Sequence, residues 1–146
     1  MADPQPRVSL PHTWRPLGVR LAGGVLGAGL LIVCAGAWIT FPPEVKETFT
    51  LFQRITAIGL GLMAFAAWFA LVRSRVVADD GRLVVVNGYK RREFEWAQVV
   101  RISMPPGAPW ATLDLDDGTT CPVMGIQGSD GARARQAVRE VRALLG

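Results

Sequence analysis

The chain has one histidine, His12, and two cysteines, Cys34 and Cys121. A Cys or Ser nucleophile needs a nearby base, and the single imidazole lies ahead of every predicted folded element, so Ser-His and Cys-His catalysis lack a partner group. Metal binding needs clustered ligands; Cys34 falls in an apolar run and Cys121 in a predicted strand, so no metal or other cofactor is expected. Two cysteines in 146 residues build no disulfide framework. Charge is also scarce, at 19% of residues against about 25% in ordinary soluble domains. Lysine is nearly missing. Two Lys stand against fourteen Arg, a skew associated with GC-rich bacterial genomes, and the net charge of +4 is too small to point to nucleic acid.

Long apolar runs are present instead. No charge occurs between Arg20 and Glu44, and Leu21 to Phe41 can be helical before Pro42-Pro43 stops it. That is roughly 31 Å of helix, against a hydrocarbon core of about 30 Å. A second charge-free run, Ile55 to Val72, spans roughly 27 Å. Both are apolar on every face, which predicts two transmembrane helices rather than amphipathic surface helices. Arg7, Arg15 and Arg20 precede the first helix, and Arg73, Arg75, Arg82, Lys90, Arg91 and Arg92 follow the second, against Lys46 and Arg54 between them. The positive-inside rule then puts both termini in the cytoplasm and the 41–54 loop outside. Residues 1–20 read as a flexible cytoplasmic tail, with Trp14, Trp38 and Trp68 at interfacial depth. A cleaved signal peptide fits less well, because the lead-in is long and proline-rich and the apolar run exceeds a signal core.

From Arg73 the pattern alternates. Strands are predicted at Arg75–Ala78, Leu83–Val86 and Tyr89–Phe94, the last two joined by an Asn87-Gly88 type I′ turn. A fourth covers Gln98–Met104 with Val100, Ile102 and Met104 on one face; Trp110–Leu115 and Thr119–Met124 form a further hairpin with Ala111, Leu113, Leu115, Cys121 and Val123 inward. Ala134, Ala137, Val138, Val141, Leu144 and Leu145 make one helical stripe, capped by Ser129 or Asp130.

Two apolar helices followed by SRVVADDGRLVVVNGYKRREFEWAQVVRI, PWATLDLDDGTT and a terminal amphipathic helix resemble bacterial PH-like (pleckstrin-homology-like) membrane proteins of the low-molecular-weight protein antigen 6 type. The resemblance covers Arg73 to Leu145 and implies an α+β architecture: an antiparallel sheet or partial barrel closed by the C-terminal helix, with no catalytic residues. One departure is plain: six strands are visible where a full PH fold has seven. The organisation is thus a tail (1–20), a two-helix transmembrane hairpin (21–72) and a cytoplasmic PH-like domain (73–146).

The basic residues Arg73, Arg75, Lys90, Arg91 and Arg92 are candidates for contact with anionic lipid or a protein partner. The first hairpin turn of the domain, Ala78-Asp79-Asp80-Gly81, is acidic, so inositol-lipid binding does not carry over from other PH domains. Gly23 and Gly27 form GxxxG, and Ala57 and Gly61 a small-xxx-small pair, suited to helix packing within the chain, in a homo-oligomer or in a larger complex. GGVLGAG follows no strand and lacks the Lys of a phosphate loop; Asp114, Asp116 and Asp117 miss the EF-hand spacing and read as a turn. The expected role is a non-enzymatic adaptor or scaffold at the inner face of the bacterial plasma membrane. An accessory subunit of a membrane complex is the alternative.

Overall fold

A computed structural model describes residues 7–146. Its elements are β1 (His12–Trp14), α1 (Gly18–Thr40), α2 (Pro43–Thr48), α3 (Leu51–Arg73), β2 (Arg75–Ala78), β3 (Arg82–Asn87), β4 (Lys90–Glu95), β5 (Val99–Ser103), β6 (Trp110–Leu115), β7 (Thr120–Gln127) and α4 (Ala132–Leu144). Two helices, α1 and α3, are 23 residues each and long and apolar enough to cross a membrane, with mean hydropathy of 2.0 and 2.2. Their side chains are exposed almost throughout, so within this chain little protein covers them. Pro42 and Pro43 end α1, and Thr50 restarts the chain as α3 through a reciprocal capping box with Gln53.

The remaining strands form two open antiparallel sheets, ordered β1-β2-β3-β4 and β5-β6-β7, around one core. Period-2 alternation sends Val76, Ala78, Leu83 and Val85 inward from the first sheet, and Ile102, Ala111, Leu113, Cys121 and Val123 inward from the second. Ala134, Ala137, Val138 and Val141 of α4 close the core, as their helical spacing predicts. β7 carries three extra residues, Met124 to Ile126, between its pairings with Ala111 and Trp110. That bulge bends it across the first sheet, where Gly125 lies so close to Arg75 that a Cβ would sit 2.7 Å from its backbone.

Several sequence expectations are corrected here. The tail is not free over its second half: His12, Thr13 and Trp14 pair with Ala78, Val77 and Val76 of β2. Residues 1–6 of that tail lie outside the described residues. The strand that seemed missing therefore precedes the helices, and α1, α2 and α3 are inserted between two neighbouring strands of one sheet. Trp14 is not an interfacial aromatic but a core residue, 7% exposed. Val100 faces outward at 63% exposure, because β5 bulges between Val99 and Arg101 and hands the core positions to Val99 and Ile102. The tight turn consists of Gly88-Tyr89, not Asn87-Gly88, since Asn87 pairs with Lys90 and only Gly88 has positive φ, at 61°. Glycine at the first central position is the type II′ preference.

Candidate functional site

The five predicted cations have different neighbours. At the end of α3, Ser74 is fully buried; its hydroxyl donates to the Ala70 carbonyl (3.0 Å) and accepts from the Gly88 amide (2.9 Å). The β3–β4 turn is thereby fixed to the last turn of the helix, and a Cβ on Gly88 would stand 3.3 Å from that of Ala70. Tyr89 continues the contact upward: its hydroxyl donates to the Ala66 carbonyl at 3.1 Å, and its ring lies 6.5 Å from Phe69. The Arg73 guanidinium sits 6.0 Å from the Tyr89 ring centroid, a cation–π arrangement. Lys90 follows Tyr89 in the chain and is exposed.

Arg75 is half-buried in β2. Arg91 is engaged by Glu93, which also binds Arg82 at 2.7 Å. Arg92 turns toward Cys121, whose thiol is pushed above its ordinary range by burial and partly pulled back by that guanidinium. Of the five, only Arg91 has a carboxylate partner among the described residues; Arg73 lies over the Tyr89 ring, and Lys90 follows Tyr89 in the chain.

At the same end of the helix pair, the start of α1 is fastened as firmly. Asp130, expected to cap α4, instead accepts from the amides of Leu17 and Gly18 (3.0 and 2.7 Å) and caps α1. Two N–H groups that a helix start leaves unpaired are satisfied by a carboxylate more than a hundred positions away, with the sign the helix dipole favours. α4 begins with no side-chain cap. Trp68 donates to the Val19 carbonyl at 3.0 Å and covers Gly23, where a Cβ would lie 2.0 Å from the indole nitrogen. Gly27 and Gly61 have open space around them and Ala57 is exposed, so of the four small residues only Gly23 is a close contact within the chain.

Sequence reasoning missed a second place. Between β1 and the first turns of α4 lies a cavity of about 230 Å³, lined by His12, Trp14, Arg15, Arg133 and Glu140 among others. The only forward signal was Trp14, a large residue whose indole donates to Glu140 at 2.7 Å. Among the described residues no three metal-ligating side chains cluster. Asp117 forms a turn in which the Thr119 hydroxyl and amide hold its carboxyl below the usual range.

The model of the bacterial PH domain family matches residues 73–144. Uncharacterised proteins of Mycobacterium tuberculosis and Mycobacterium bovis are each 31% identical over 140 residues, covering 92% of this chain and 85% of theirs. A match of that extent takes in both apolar helices as well as the sheets. No solved structure matches the chain. The family model starts at Arg73 and so omits β1, which the fold returns to the same sheet. With its four- and three-stranded sheets and closing helix, the chain belongs to the bacterial PH domain family.

Proposed function

We propose that this protein is a non-enzymatic adaptor or scaffold in the bacterial plasma membrane, with α1 and α3 spanning the bilayer and the PH-like domain held flush on its cytoplasmic face. The observation that carries the proposal is the pairing of β1 with β2, the strands that lead into α1 and out of α3. Neighbours in one sheet lie on one side of a membrane, which supports a helix pair that crosses and returns. The Arg-rich flanks favour the cytoplasm for that side.

The β3–β4 turn supports a flush seating. Ala66 is seven positions before Arg73, roughly 10 Å up the helix axis, so Tyr89 reaches into the inner interfacial layer where amphipathic aromatics are favoured. Arg73 and Lys90 then stand at headgroup level, each attracting anionic lipid by about 1 kcal/mol. Arg91 and Arg92 contribute less, being engaged by Glu93 and turned to Cys121.

Topology reporters fused at Gly146 and inserted between Glu44 and Glu47 should give opposite signals, with Gly146 cytoplasmic. An exported Gly146 would remove the adaptor role. Gly27 and Gly61, open to approach, favour a second reading as a subunit of a larger membrane complex. Purification in mild detergent separates the two: a stoichiometric membrane partner supports the subunit, a soluble one the adaptor.

A further inference from the structure

The cavity between β1 and α4 is bordered by four charged side chains whose commitments are unequal. Both carboxylates are occupied: Asp130 accepts from the Leu17 and Gly18 amides, and Glu140 accepts from the Trp14 indole (2.7 Å) and the Gln136 amide (2.9 Å). The guanidiniums of Arg15 and Arg133 have no carboxylate within 4 Å among the described residues, and what sets them apart from other unpaired arginines is that both border one cavity. The carboxylate oxygens keep their charge but are held by donors of the fold, whereas the two guanidiniums make no hydrogen bond to the fold among the described residues. We propose that this cavity binds a phosphate group, carried either by a lipid headgroup or by a free phosphate or phosphate ester.

Size and chemistry agree with that ligand. About 230 Å³ is below the range of roughly 300–1,000 Å³ usual for drug-sized ligands, and suits a small headgroup or ester. Two guanidiniums offer forked donors that match phosphate oxygens better than a chloride or a single carboxylate oxygen. α4 starts beside the cavity without a side-chain cap, and Ala134 of its first turn lines the wall, so a seated anion also meets the positive end of that helix. His12 packs against Trp14 with centroids 4.6 Å apart and completes the β1 side of the wall. Arg15 stands three positions before the first residue of α1, so the membrane-anchored arrangement proposed above opens the cavity at headgroup level. The lipid source rests on that reading; the free-phosphate source does not.

The test uses the full chain. In maltoside micelles, inorganic phosphate is titrated against chloride at constant ionic strength, following the Ala134 amide and Trp14 indole resonances. In parallel, the same resonances are compared in nanodiscs of phosphatidylcholine and of phosphatidylglycerol. Saturable movement with inorganic phosphate identifies a free-phosphate site; movement relative to micelles in discs of either lipid, both of which carry a phosphodiester, with none from inorganic phosphate identifies a lipid headgroup site. R15Q and R133Q should each weaken binding at least about tenfold, since a hydrogen bond to a charged group carries that much affinity. R139Q, on the exposed face of α4, should leave it unchanged, and R15K/R133K should restore part of it. No movement in either medium, or equal movement in R15Q/R133Q with native β2 chemical shifts, overturns the proposal, and the wild-type titrations decide it even if a variant misfolds. A topology reporter showing an exported Gly146 would defeat the adaptor role while leaving the phosphate titration intact.

Discussion

Replacing Trp14 with alanine should loosen the whole PH-like domain, although the residue precedes both apolar helices. Trp14 is 7% exposed and is the one β1 residue in the core, packed with Val76 and Ala78 beneath α4. Truncating a buried aromatic typically costs about 3–5 kcal/mol. Glu140, also losing its indole donor, is half-buried and keeps Gln136, so water can replace that bond and little need be added. The lower figure, about 3 kcal/mol, is a large fraction of the 5–15 kcal/mol that holds a small domain. For amides that exchange through global opening it corresponds to about a hundredfold faster exchange. Hydrogen exchange by mass spectrometry on the full chain in detergent should show this over Arg75–Asn87, in β2 and β3. Trp38→Ala, at the far end of α1 against Phe49 and Arg54, should leave those strands unchanged. If exchange there differs less than threefold between Trp14→Ala and wild type, β1 is an ornament and the inserted-helix topology is wrong.

Joining residues 7–15 through Asn-Gly to residues 75–146 should give a soluble, cooperatively melting domain, because Trp14 and Val76 are already cross-strand partners; residues 73–146 alone should expose Val76 and aggregate. Val138→Asp or Val141→Asp would bury an unpaired carboxylate at a cost of several kcal/mol, and calorimetry on the soluble fusion should show the transition lost. The Cys121 thiol is raised by burial, so the neutral form is the one the fold prefers. Its contribution is complete below the unfolded thiol's ordinary value of 9.0 and declines as pH rises through the higher folded value, so wild type should lose denaturant stability above pH 9.0 faster than Cys121→Val. A thiol reagent at neutral pH should leave Cys121 unmodified until denaturant is added.

What the sequence made legible were features whose evidence is local. The α4 stripe repeats over several turns, and the strands from β2 to β7 announce themselves by alternation and by Asp-Gly or Asn-Gly punctuation. β1 has neither signal: three residues between Pro11 and Pro16 cannot display a period, and their partner lies beyond two long helices. Trp14 was therefore assigned to an aromatic belt, where its neighbour Arg15 and the following apolar run would equally suit it. Asp130 shows a subtler limit. Its type and place before a helix identify a cap, but only the folded chain brings α1 closer to it than α4. Val100 was misplaced by a single extra residue, since one bulge reverses the alternation on which face assignment depends. The basic cluster was visible as composition, whereas its division among Tyr89, Glu93 and Cys121 depends on how the β4 hairpin docks.

Because α1 to α3 stand where an ordinary hairpin would have its turn, assembly of the sheet has a built-in order. β1 leaves the ribosome first and must wait, unpaired, until β2 has been made. In a flexible chain, bringing such distant strands together carries a loop-closure penalty that grows with the logarithm of the intervening length. In the membrane-spanning arrangement proposed above, a helix pair already inserted would return the chain beside its starting point, reducing that search to docking a short strand along a waiting edge. A chain in which only one helix inserts would strand β1 and β2 on opposite faces of the bilayer, leaving the core permanently open. On that arrangement, completion of the sheet would report correct insertion, and proteases that attack exposed apolar surface would remove misinserted molecules without recognising the membrane segment at all.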